Sequence, residues 1–165
     1  MSELRDTFLD ELEDLYDAEK QILKALPKME KASQSEELKE AFRNHLDETE
    51  EQVSRLEQVF QLFEKEPKAK KCKAMTGIIE EGEDIIKEQQ GDAALICAAQ
   101  KVEHYEIASY GSLLSWARML NEEEAADLLE ETLDEERDAD ERLTEIAEST
   151  INAEEAEEEE EQEEK

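Results

Sequence analysis

A length of 165 residues suits one domain with a real core, and scarce Gly and Pro (four and two) with 42% charged residues suit long helices. The net charge of −31 excludes nucleic acid as a partner, because phosphates would be repelled. No apolar run approaches the ~20 residues of a membrane span. The start MSELRDTFLDEL is acidic and amphipathic, unlike a signal peptide, and Cys72 and Cys97 lack CxxC spacing. A cytoplasmic protein with free thiols is the expectation. The tail Glu154–Lys165 holds nine Glu and one Lys, contributing −8 and leaving −23 for the rest. Such an excess fits either a solvated acidic surface or a halophilic chain, since salt screens carboxylate self-repulsion. The second is the reading preferred here.

The first helix is expected over Glu3–Ala32, with apolar Leu4, Phe8, Leu12, Leu15, Ile22, Leu26 and Met29 at steps of three and four. Pro27 lies inside it and predicts a kink or local break. A second helix, Glu36–Phe63, starts at a capping box, Ser33-Gln-Ser-Glu36. Lys65–Lys73 is basic, contains Pro67 and reads as a linker. A short amphipathic helix, Gly77–Gln89, comes next, and Gly91-Asp92 opens a third long helix, Ala93–Leu120. The fourth starts about Asn121–Glu124 and ends near Ser149. Residues 1–150 thus read as one bundle and 151–165 as a disordered acidic tail. Short loops make helices one and two, and three and four, antiparallel neighbours, and one long crossover joins the two hairpins. A shift of 87 residues superposes core positions: Phe8 on Leu95, Leu15 on Val102, Leu26 on Leu113, Phe42 on Leu129, Leu46 on Leu133, Leu56 on Leu143 and Val59 on Ile146. This points to a pseudo-twofold repeat.

Two carboxylates interrupt the apolar stripes. The first helix's stripe carries Glu19, and that of the third long helix carries Glu106, 87 residues on. A lone ionised carboxylate in a core costs several kcal/mol unless paired or metal-bound. The second helix offers His45, Glu48 and Gln52 at spacings of three and four, and the fourth places Glu136 inward with Asp140 a turn later. Glu103 lies a turn before Glu106. Hard oxygen ligands with an occasional imidazole suit iron or manganese. Four central acids, one per helix, could hold two such ions. Taken singly, Glu48, Glu103, Glu135 or Asp140 fits a solvated helix face as well, and His45 a structural histidine. A buried Lys or Arg could replace metal beside Glu19 and Glu106, although Lys20 and Lys101 sit off the stripes.

The strings LYDAEKQILKALPKM (Leu15–Met29), HLDETEEQVSRLEQVF (His45–Phe60), VEHYEIASYGSLLSWA (Val102–Ala117) and LDEERDADERL (Leu133–Leu143) closely resemble the YciF-like branch of ferritin-like proteins over about residues 4–148. The resemblance implies an all-α, ferritin-like four-helix bundle, a di-iron-type site (manganese being the other candidate), a link to stress responses and a homodimer. Ferritin-like sites take a Glu from each of two helices and Glu-x-x-His from each of the other two. Glu19 and Glu106 fit the first role, and Glu48 and Glu136 the second. No Glu-x-x-His occurs; Gln52 and Asp140 stand where imidazoles are expected. Three functions follow: a metal-binding protein with redox chemistry at the site; a non-enzymatic stress or structural protein with a degenerate site; or an acidic interaction module.

Overall fold

The computed structural model describes residues 3–163. Its helices are α1 (Glu3–Ala32), α2 (Glu36–Leu62), α3 (Lys73–Glu88), α4 (Asp92–Met119) and α5 (Glu123–Ile146). A π-helical turn, Ala147–Ile151, leads into α6 (Asn152–Glu163). No strand occurs among the described residues. The hairpins α1–α2 and α4–α5 pair through α1 against α4 and α2 against α5, which closes a four-helix bundle. The crossover carries α3 over α1 and α4. The bundle forms because each long helix has one apolar stripe that only its neighbours can cover. Phe8, Leu12, Leu15, Ile22, Leu38, Leu56, Val59 and Leu113 are almost wholly buried. The positions matched by the 87-residue shift are all buried, except Leu46, which is partly buried.

The structure departs from the expected details in three places. α1 runs unbroken through Pro27, whose ring lies on the exposed face, where water can replace the missing hydrogen bond. The cap of α2 is Ser35, whose Oγ accepts from Leu38 N, rather than Ser33. Ser33 instead donates to Met29 O, while Asp92 accepts from Gln34 N and Ser35 N at 2.9 and 2.8 Å. The acidic tail, expected to be disordered, continues as helix to Glu163. Its beginning is tied down: Ile151 is buried, and Glu155 accepts from Ala93 N at the start of α4.

With 50 acidic residues against 19 Lys and Arg, only a minority of carboxylates can have a cation partner. The screening length falls from about 10 Å at 0.1 M salt to about 3 Å at 1 M. Raising potassium chloride across that range is therefore expected to raise the melting temperature. A flat or falling melting temperature would remove the reading of the charge as adaptation to high salt.

Candidate metal centre

At mid-height three of the four long helices turn acids inward. α1 contributes Glu19, α4 Glu103 and Glu106, and α5 Glu136; their exposures are 0, 2, 0 and 0%. Glu103 and Glu106 share a face because they are three residues apart on one helix. From α2, the inward stripe runs through Phe42, His45, Thr49, Gln52, Leu56 and Val59, all buried. Glu48 is therefore rotated to the rim of that stripe. His45, Glu103, Glu106 and Glu136 each offer a ligand atom, and these atoms lie within 4.8 Å of one another. His45 Nε2 stands 3.0 Å from Glu103 Oε1 and 3.9 Å from Glu136 Oε2. Glu19 joins from the other side, accepting a 2.5 Å hydrogen bond from the Tyr110 hydroxyl.

Two of the remaining site residues expected from the sequence lie outside this group. The Glu48 carboxylate is 44% exposed and touches only the outer nitrogen of the imidazole, at 3.4 Å from His45 Nδ1. Asp140 turns away and binds His104 Nε2 at 3.1 Å and Gln100 Nε2 at 3.3 Å. Gln52 is fully buried, but its amide nitrogen donates to Glu135. The positions where ferritin-like chains carry imidazoles are thus engaged elsewhere, and the cluster holds one histidine, His45. Sequence reasoning missed Arg55, which is 8% exposed and clamps Glu135 through two 2.7 Å hydrogen bonds. Its signal was its place one turn after Gln52.

The electrostatics describe a crowd of acids sharing few positive charges. Burial pushes the Glu106 carboxyl well above the ordinary range, and Glu136, Glu19 and Glu103 push it further. Burial and then Glu103 do the same to Glu136. Burial also raises Glu19, against the opposing influence of Glu106 and Tyr110. Burial alone would discharge His45, but Glu103, Glu48 and Glu136 overcome it and hold the imidazole protonated. His45 in turn keeps Glu103 ionised despite its burial. Without metal, the centre therefore pairs the His45 imidazolium with the Glu103 carboxylate, among acids that burial and mutual repulsion make harder to ionise.

Eight buried side-chain atoms lack a hydrogen-bond partner among the described residues: Glu19 Oε2, His45 Nε2, Gln52 Oε1, Glu103 Oε2, and both carboxylate oxygens of Glu106 and Glu136. Seven of them belong to the cluster of Glu19, His45, Glu103, Glu106 and Glu136, and the eighth is Gln52 Oε1. His45 Nε2 is close to Glu103 but off the line its N–H would need. Native cores leave few such groups unsatisfied. Seven of the eight are oxygens, a donor set compatible with a bound cation.

Comparison with known proteins agrees with this architecture. Residues 3–156 match the family described as Domain of unknown function (DUF892). Protein YciF of Escherichia coli strain K12 is 48% identical over 158 residues, spanning 92% of this chain and 95% of that protein. The crystal structure of the E. coli stress protein YciF superposes with a TM-score of 0.88 at 46% identity, over 92% of this chain and 99% of that one. A Xanthomonas campestris protein superposes with a TM-score of 0.72 at 26% identity, over 92% and 95% of the two chains. From the bundle, the family match and the likeness to YciF alike, the chain belongs to the DUF892 family of YciF-like proteins.

Proposed function

We propose that the core cluster binds two divalent metal ions, iron or manganese, and that the protein serves a stress-associated redox role. The observation that carries this is the collection of seven unsatisfied buried atoms at a place where four helices each contribute a side chain able to ligate metal. Two divalent ions carry four positive charges, matching the carboxylates of Glu19, Glu103, Glu106 and Glu136, with His45 neutral once its proton is displaced. Glu106 and Glu136 face the same space as His45 and Glu103, and Glu19 is oriented by Tyr110. Burial and the charge of Glu19 hold the Tyr110 phenol protonated, so it remains a donor. The bound pair would supply one-electron chemistry toward oxygen or peroxide. The chain's own residues fix the carboxylates, exclude bulk water and give up protons as metal enters. The likeness to the E. coli stress protein YciF supports the physiological setting, and a homodimer in the cytoplasm belongs to the same reading.

Metal analysis of protein purified without chelator is expected to find about two iron or manganese ions per chain. Glu19→Ala and Glu106→Ala should each lose them. Since a ligand that binds only the native state stabilises it, added iron(II) should raise the melting temperature of metal-free protein by several degrees. An empty protein whose melting temperature ignores both metals would sink the proposal. A second reading is favoured by one observation: the side chains of Gln52 and Asp140 are engaged elsewhere, leaving one imidazole. It holds that the site is degenerate and the protein structural. Stoichiometric metal without oxidant consumption would support it.

A further inference from the structure

A cavity of about 330 Å³ opens beside the centre. His45 and Glu103 form its inner wall, and Ile22, Leu26, Phe42, Ile79, Val102 and Leu143 line its sides. The 87-residue correspondence explains why space exists here. Ala99 stands where the other half has Leu12, Val102 where it has Leu15, Ala139 where it has Gln52, and Ala41 where it has Leu128. All four smaller residues line the cavity. In the other half the longer side chain of Gln52 binds Glu135, as does Arg55.

The rim has a definite charge. Glu37, Glu40, Glu48, Glu83 and Asp138 surround the opening with only Lys28 and Arg142 as cations. Both cations are already held, Lys28 by Glu83 and Arg142 by Glu37, each at 2.7 Å. An anionic ligand would meet net repulsion at the mouth and no free cation. The apolar side walls favour carbon and offer a hydrated ion little to bind. The volume is roughly twice the ~150 Å³ that takes one benzene, hence a molecule of about a dozen non-hydrogen atoms.

We infer that this cavity binds an uncharged, largely apolar small molecule against the His45–Glu103 wall. This deepens the proposed function by naming the class of organic substrate that would meet the metal centre, and only that catalytic role rests on the metal reading. Binding itself requires the cavity alone.

The test uses the full chain, both metal-free and reconstituted with iron or manganese, and compares 2-naphthol with its anionic relative 2-naphthoate by equilibrium dialysis and fluorescence. One 2-naphthol per chain is expected, with 2-naphthoate at least tenfold weaker. Ala99→Phe and Ala139→Phe should each weaken 2-naphthol at least tenfold while circular dichroism shows the bundle intact. Absence of saturable 2-naphthol uptake, or equal affinity for the anion, would overturn the inference on the wild-type chain alone. So would unchanged affinity in a folded Ala99→Phe variant. Uptake by a protein that takes no metal would uphold the cavity and remove the metal reading; metal loading without uptake would do the reverse.

Discussion

Glu106→Gln is expected to make the metal-free protein more stable at pH 7.5 and to abolish its response to metal. Glu106 sits wholly buried among Glu19, Glu103 and Glu136, and its carboxyl is raised well above the ordinary range by burial and by those neighbours. The native state thus keeps protons that the unfolded chain has lost above about pH 4.3, so stability falls as pH rises. Glu136 and Glu19 act in the same direction. His45, raised by its carboxylates, adds stability that is full below about pH 6.5 and is lost as pH climbs through its native value. Glu103, held low by His45, acts oppositely, its contribution disappearing as pH falls below about 4.3. The metal-free protein should therefore be more stable at pH 5.5 than at pH 7.5. A glutamine keeps the shape and cannot ionise. Removing the cost of holding a proton on a buried carboxyl at pH 7.5 should gain about 1–4 kcal/mol, here a rise of roughly 3–10 °C. Thermal unfolding of chelator-treated wild type and variant at both pH values measures this. A variant less stable than wild type at pH 7.5, or with an undiminished pH slope, would show that Glu106 is compensated in a way the structure does not contain.

The second large effect is expected at Arg55. Its guanidinium reaches Glu135 through both terminal nitrogens and also Glu131 and Thr132, tying α2 to α5 beside the centre. Removing one partner of a buried pair costs about 3–5 kcal/mol. Glu131 is more than half exposed and Glu135 about a quarter, so solvent screening reduces the figure for Arg55→Ala to about 2–3 kcal/mol. Arg55→Lys should recover less than half, because an ammonium cannot form the two-pronged contact. Urea unfolding with the Glu135→Gln double-mutant cycle checks this, and a loss under about 0.5 kcal/mol would show the cluster to be energetically idle.

The stripes on the four long helices made the bundle readable, since Leu12, Leu15, Leu56 and Leu113 recur at helical spacing and have nowhere else to go. Glu19 and Glu106 were readable for the same reason: an acid on a stripe is visible against an apolar background. Glu48 was harder. It is three residues from His45, but Thr49 continues the buried line, and one residue of helix is a rotation of about 100°. The outward engagement of Gln52 and Asp140 depends on Glu135 and His104, contacts made across the bundle. The cap of α2 was misplaced because Asp92, 57 residues away, supplies the acceptor at Ser35 that a local motif was expected to supply. The start of the acidic tail is held by Ala93, also remote in sequence.

Asp92 has a wider effect. Its carboxylate belongs to the first turn of α4, yet both of its oxygens are taken by the amides that open α2. One side chain therefore locks the two hairpins against sliding along their common axis. Glu106 is fourteen residues further along α4, about 21 Å at 1.5 Å per residue. A slip of a single residue there would move Glu106 off the level of Glu19 and His45. The spacing of the buried acids and His45 at mid-bundle is thus set partly from its end, by a carboxylate that never approaches them.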